Sequence, residues 1–236
     1  MRFAQSLVRG TLLQRYKRFL ADVALDDGRM VTAHCPNTGS MLGCAEPGSR
    51  VWLSPADRRE RKLAWTWELV RTAPGVMVGI HTGRSNRIVQ EAIESGVLGE
   101  AVGYAHVRAE ARYGVERSRV DFLLEGEARS FCYLEVKNVT AAVSGGVALF
   151  PDAVSARGTK HLREMAQMVR EGHRALLVFC VQREDVTEVR PADAIDQNYG
   201  QELRRALDAG VEAVAYGAQV STTEIRLARR LPVVCP

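Results

Sequence analysis

Residues 118–140, SRVDFLLEGEARSFCYLEVKNVT, alternate polar and apolar side chains on either side of a short polar break. A period of two is that of a pleated strand, whose side chains point alternately to opposite faces. The stretch predicts two β-strands, and Glu125-Gly126-Glu127-Ala128-Arg129 between them is short enough for a hairpin. In Tyr133-Leu134-Glu135-Val136-Lys137 the alternation sets Glu135 and Lys137 on one face and Leu134 and Val136 on the other. Neighbouring strands lie about 4.8 Å apart, so a suitable register puts Asp121 beside Glu135. Two carboxylates and an ammonium then share one end of a sheet.

The flanking sequence divides into two styles. Residues 12–16, 19–25, 30–34, 50–53, 65–70 and 75–81 read as short strands, with Asp27-Gly28 as the clearest hairpin turn. Strands at that density predict a small β-barrel, and the oligonucleotide-binding barrel is one such solution. At Thr82-Gly83-Arg84-Ser85 the pattern changes. Residues 86–95 put Ile88, Val89, Ala92 and Ile93 on one helical face, with Ser85 or Asn86 available as N-cap and Gly96 as the stop. A strand over 102–112 follows, then the Asp121 and Glu135 strands. A helix over 159–171 repeats Leu162, Met165, Ala166 and Val169 before Gly172, and a strand over 175–182 comes next. The order α, β, β, β, α, β predicts an α/β layer architecture. A helix over 199–209 and strands over 211–216 and 224–227 complete it. We place the boundary between domains of residues 1–83 and 84–236.

Composition narrows the function classes. The chain has 236 residues, 46% of them hydrophobic, which is ordinary for a globular protein. Its start is interrupted by Arg and Lys, and its longest apolar run, residues 175–181, is too short to span a bilayer. A cytoplasmic protein without a membrane role is expected. Five cysteines without a CxxC pair predict reduced thiols, and His34, Cys35 and Cys44 match no structural zinc spacing. Residues 1–83 carry 12 Lys+Arg against 7 Asp+Glu, whereas residues 84–236 carry 20 against 21. The basic excess belongs to the β-rich third, as suits a polyanionic partner.

Within that third, Arg15, Lys17 and Arg18 surround Tyr16 and Phe19, and Arg58, Arg59, Arg61 and Lys62 run into Trp65 and Trp67. Cations follow phosphates and aromatic faces stack on bases, so the interleaving suits single-stranded nucleic acid, DNA or RNA. Phe19 and Trp52 are expected inside the barrel, and Trp65 and Trp67 both in the core or both on a stacking platform. Farther on, Arg157, Lys160 and His161 cluster where the 159–171 helix begins, and a helix N-terminus favours anions. Glu91 reads as exposed, and neither Glu110 nor Asp152 is taken as a ligand.

Asp121 and Glu135 can hold a hard cation such as Mg²⁺ or Mn²⁺, which prefers oxygen ligands and keeps waters that a phosphodiester oxygen can replace. Lys137 can then hold a water or stabilise developing negative charge. An E-x-K triplet alone arises by chance in a chain of this length, and the same three side chains on a half-exposed sheet also make a plain salt bridge. From the residues themselves the metal site and the salt bridge stay open together.

The helix 86–95, Asp121 and Glu135-Val136-Lys137 resemble the core of PD-(D/E)XK nucleases, with Val120 where that superfamily often has proline. The segments RYKRFLAD (15–22), HCPNTG (34–39), RSRVDF (117–122), EVKNVT (135–140), FPDAV (150–154) and Arg157-Gly158 through Lys160-His161-Leu162 resemble the sugar fermentation stimulation protein A family. The resemblance implies an N-terminal OB-fold barrel and a C-terminal restriction-endonuclease-like αβββαβ domain. It further implies DNA binding with little sequence preference and a regulatory role in carbohydrate, particularly maltose, utilisation. The wider superfamily implies catalysis by Asp121, Glu135 and Lys137 with Mg²⁺ or Mn²⁺ on the two carboxylates. No obligate protein partner is implied.

Overall fold

The computed structural model describes residues 1–56, 62–73, 75–114, 118–127, 129–143 and 145–236. The first third forms β1 (Val8–Tyr16), β2 (Leu20–Leu25), β3 (Met30–His34), β4 (Arg50–Pro55), β5 (Trp65–Arg71) and β6 (Met77–Gly79). They hydrogen-bond in the order β3-β2-β1-β4-β5-β6, and a parallel bridge from His34 to Thr66 joins β3 to β5. Among the described residues, five strands thus close a barrel. Closure removes the unpaired edges an open sheet would carry. A register shift between Leu12 and Gln14 marks a bulge in β1, which pairs with β2 on one side and β4 on the other. A side chain at Gly10 would put its Cβ 2.6 Å from Val23 Cγ1 and 2.7 Å from Ala24 O, so only glycine lets the strands approach there.

Alternate residues of β2, namely Ala21, Val23 and Leu25, join Leu12, Val51, Leu53, Trp67 and Val70 in the barrel core. Trp67 is fully buried with Nε1 donating to Leu69 O at 2.8 Å, and Trp65 packs against the same core. Trp52 is also buried, whereas Phe19 is 46% exposed, contrary to the sequence reading. The cause is local: Lys17 and Arg18 adopt left-handed φ values of 49° and 66° in the turn after β1, which turns the next side chain outward.

The remainder is an α+β domain. It contains α1 (Ser85–Glu94), β7 (His106–Tyr113), β8 (Ser118–Gly126), β9 (Arg129–Val139), β10 (Ala142–Val143), β11 (Val147–Phe150), α2 (Ala156–Arg170), β12 (Arg174–Val181), β13 (Glu188–Pro191), α3 (Gln197–Asp208), β14 (Glu212–Val220) and β15 (Ile225–Leu231). The main sheet runs β15-β14-β12-β9-β8-β7. β7, β8 and β9 form an antiparallel meander, β9, β12 and β14 are parallel, and α2 and α3 make the crossovers. From Ala175 onward every residue of β12 is buried, as a central parallel strand covered on both faces requires. One face packs on α1 through Ile88, Val89 and Ala92, and the other on α2 and α3 through Leu162, Met165 and Leu203.

A second small sheet, β10-β11-β13, was not legible from the sequence. α2 also begins earlier than its apolar spacing suggests, because Ser155 caps it by accepting from Gly158 N at 3.1 Å. The barrel and this domain share packing: Trp52 and Leu69 belong to the cluster around α1, and Gly79 N donates to Gln182 O at 2.9 Å. No helix among the described residues is long and apolar enough to cross a membrane.

Candidate active site

Asp121 sits where two strands part. β8 and β9 pair from Phe122↔Leu134 through Leu124↔Cys132, and toward Asp121 the ladder ends. The Asp121 side chain takes over the missing acceptor role: Oδ2 receives the Val136 N–H at 2.7 Å, and Oδ1 receives Asn86 Nδ2 at 2.8 Å. The fork and the carboxylate are therefore one feature, because Val136 N–H would otherwise lack a partner in a buried sheet.

Glu135 lies next to Val136, buried to 3% exposure. Its Oε1 accepts from Lys137 Nζ at 2.9 Å and from His161 Nδ1. His161 projects from the first half of α2, is itself buried, and accepts at Nε2 from Arg157 Nε at 3.3 Å. An imidazole accepting at Nε2 carries its proton on Nδ1, so the two hydrogen bonds agree and the chain Arg157–His161–Glu135 is continuous. Glu135 Oε2 is buried with no hydrogen-bond partner among the described residues. An anionic oxygen left so is costly unless a cation or donor completes it.

The two carboxylates are driven in opposite directions. Burial, then the charge of Glu135, raises Asp121 above the usual carboxylate range against the bonds from Val136 and Asn86. Burial also pushes Glu135 up, but donation by His161 and the charge of Lys137 outweigh it and hold Glu135 below that range. Neighbouring acids separated in this way divide into one that readily takes a proton and one that stays anionic. The hydroxyl of Tyr113 is driven up by burial and then by the charges of Glu135, Glu164 and Asp121.

The oxygen donors and the orphaned Oε2 fit a hard divalent cation held by Asp121 and Glu135, with water or substrate oxygens completing the shell. Glu135 Oε2 keeps both its lone pairs and each Asp121 oxygen keeps one beyond that used by its protein donor. Among the described residues, no group of three or more His, Cys, Asp and Glu side chains is arranged to hold a metal ion.

Sequence reading did not anticipate the support around these groups. Ser85 and Asn86 were the expected N-caps of α1, yet neither caps it. Ser85 Oγ donates to Asn138 Oδ1 at 2.8 Å and Asn86 reaches Asp121, while Arg84 occupies the cap position with its side chain donating not to the helix but to Glu68 Oε1 at 2.7 Å. Gln182, fully buried, donates to Asn138 Oδ1 and Ser85 Oγ, tying β12 to β9 and α1. Local propensity assigns Ser and Asn to caps, and only tertiary contacts redirect them. His161 carried a readable signal, since it shares a helical face with Met165 and Met168 at i, i+4 and i+7.

The other basic candidates scatter. Arg15 Nη2 donates to the carbonyls of Arg18, Asn37 and Gly39 at 2.9, 3.0 and 2.8 Å, bracing the turn and loop at one end of the barrel. Tyr16 donates to Asp22 at 3.3 Å. Lys17, Arg18, Lys62 and Arg157 are exposed and Lys160 is half-buried. Arg58, Arg59 and Arg61 lie outside the described residues. Glu91 pairs with Arg87 at 3.2 Å, and Glu110 with Arg119 at 3.7 Å. A cleft of about 530 Å³ between the domains joins Arg18 and residues 37–39 of the barrel to Asn86, Lys137, Asp152 and Arg157. Four of the five cysteines are buried and all five are free thiols.

Comparison with known proteins agrees with this architecture. A family model described as the SfsA N-terminal OB domain matches residues 13–80, and one described as the sugar fermentation stimulation protein RE domain matches residues 83–224. A sugar fermentation stimulation protein homolog of Thioalkalivibrio sulfidiphilus is 63% identical over 99% of this chain and 98% of its own length. The homolog of Alkalilimnicola ehrlichii is 59% identical over the full length of both. The solved structure of Pyrococcus furiosus SfsA in complex with Ca²⁺ superposes with a TM-score of 0.87 at 28% identity, covering 99% of this chain and 98% of that one. With an OB barrel, a restriction-endonuclease-type domain and relatives matched from end to end, the chain belongs to the sugar fermentation stimulation protein family.

Proposed function

We propose that this protein binds DNA with little sequence preference and hydrolyses its backbone with Mg²⁺ or Mn²⁺ held by Asp121 and Glu135, in the cytoplasm. The observation that carries the reading is Glu135 Oε2, a buried carboxylate oxygen without a donor among the described residues, beside the half-buried carboxylate of Asp121. A divalent ion there supplies an acidified water and neutralises charge on a phosphate. Lys137, anchored 2.9 Å from Glu135, donates to the negative charge that develops on the phosphoryl group. His161 holds Glu135 in one orientation, and Asn86 and Val136 do the same for Asp121. Arg157 and Arg18 on the cleft walls meet flanking phosphates. The Ca²⁺ of the P. furiosus relative agrees with a hard-cation site in the family.

Labelled single- and double-stranded oligonucleotides incubated with each metal test the proposal, with Asp121→Ala and Glu135→Ala in parallel. Cleavage that survives either substitution defeats it. A second reading, a non-catalytic DNA-binding regulator of carbohydrate genes such as those for maltose, is favoured by the lack of a three-ligand cluster among the described residues. It predicts salt-dependent binding without turnover in any metal.

A further inference from the structure

We propose that Glu110 is a positioning residue for Asp121 and acts through its backbone: its left-handed conformation holds a kink shared by β7 and β8 that turns the Asp121 carboxylate toward β9 and Glu135. The geometric claim stands on the sheet alone, and only its consequence for a cation rests on the metal-site reading above.

In a regular strand residues two apart share a face, and residues paired across strands share one too. β8 breaks this rule at Asp121. Phe122 and Leu124 belong to the core under α1 with Ile88 and Val89, whereas Leu123 packs on the opposite face with Met168 of α2. Val120 packs with Leu123 and Met168 as well, although an even pleat would set it with Phe122. The pleat of β8 therefore changes face between Val120 and Phe122. β7 changes face at the same level, because Ala109 pairs with Phe122 and Ala111 with Val120. The register passes from one of these pairs directly to the other, without a Glu110↔Asp121 pair, and stays in step on both sides. One residue of each strand has been taken out of the pleat.

Glu110 carries the distortion in its backbone. Its φ is 55°, and among the described residues no other strand position has a positive φ. A residue with a Cβ holds that conformation at a cost. The Glu110 side chain does little to offset it: it is 60% exposed, and its partner Arg119 is an exposed guanidinium 3.7 Å away. The gain lies on the opposite strand. By parity with Leu123, Asp121 would point toward α2, but with the pleat interrupted its Oδ2 reaches Val136 N at 2.7 Å, one residue from Glu135. Bulges beside functional sites re-aim side chains in this way.

Three substitutions in the full-length protein separate backbone from side chain. Glu110→Val opposes a left-handed φ, Glu110→Gly adopts it freely, and Glu110→Gln removes only the charge. The first readout is amide hydrogen exchange by NMR in chelator. In E110V the Val136 amide should exchange at least about tenfold faster while the amides of β12 keep their protection, and E110G and E110Q should match the wild type. Unchanged protection of Val136 in E110V, or an equal loss throughout β12, overturns the inference. The second readout is Ca²⁺ affinity by calorimetry, which should fall by about tenfold or more in E110V and hold within about threefold in E110G and E110Q. A tenfold loss in E110Q makes the carboxylate the working group and overturns the backbone role. A wild-type protein that binds no divalent ion defeats the metal reading and leaves Val136 exchange to decide this one. Should E110V fail to fold, Glu110→Ala replaces it, and E110G should melt at least about 2 °C above E110A because only glycine escapes the left-handed penalty. Equal melting of those two variants overturns the inference.

Discussion

Replacing Asp121 by asparagine should make the metal-free protein more stable while removing its response to metal. The carboxylate accepts one bond from Val136 N and one from Asn86 Nδ2. In D121N the new amide oxygen retains the Val136 bond, and Asn86 rotates its own amide to accept from the new NH₂, so the hydrogen bonds are conserved in number. What disappears is a half-buried negative charge whose desolvation, and then whose repulsion by Glu135, raises Asp121 above the usual carboxylate range. Relief of functional strain of this kind is worth about 0.5–2 kcal/mol. For a chain of this size that raises Tm by roughly 1–8 °C in chelator. The sign with pH follows from the raised folded pKa: the penalty is present above it and absent once both states are protonated, so the difference narrows as pH falls from 7 toward 4. Saturating Mn²⁺ or Ca²⁺ should reverse the order, since metal at a hundred times its Kd stabilises the wild type by about 2.7 kcal/mol. Thermal unfolding by circular dichroism, in chelator and in each metal, reads both effects. A D121N protein less stable than wild type by more than about 2 kcal/mol in chelator, or one keeping the full metal shift, refutes the reasoning.

Asp185 accepts from Arg183 through both oxygens at 2.6 and 2.7 Å, and that donation, ahead of burial, holds its carboxyl below the usual range. D185N should cost about 2 kcal/mol at pH 7, less than a fully buried pair because Asp185 faces some solvent. The loss should persist above about pH 5 and fade as pH falls through the folded pKa, read from urea midpoints at several pH values. Gly79→Ala puts a methyl 2.3 Å from Gln182 Oε1 and 2.9 Å from Ile225 Cδ1. It should cost about 1–3 kcal/mol by overpacking the junction between barrel and sheet, visible in thermal melts. Arg18→Ala, in an exposed turn, should leave Tm unchanged and lower the slope of log affinity against log salt by about 1 in DNA binding titrations.

Much of this protein is legible because its chemistry follows the period of its strands. Two-residue alternation places Glu135 and Lys137 together without reference to any other element, and their 2.9 Å bond depends on nothing more distant. The remainder depends on contacts that sequence spacing does not encode. Ser85 and Asn86 have the local chemistry of caps, and their diversion to Asn138 and Asp121 is decided by where α1 lands on the sheet. Phe19 has the composition of a core residue, but two left-handed residues before it turn it out. The β10-β11-β13 sheet escapes because its strands are short and one lies between Gly145-Gly146 and Pro151, residues that signal loop.

Asp121 stands between these two classes. Its position on a strand was readable, but its consequence comes from the fork. Because its side chain completes a ladder that the backbone abandons, the carboxylate cannot move away from Glu135 without leaving Val136 N–H unpaired. The fold therefore maintains a buried and a half-buried acid at close quarters at a standing cost, which a cation of the kind proposed would offset.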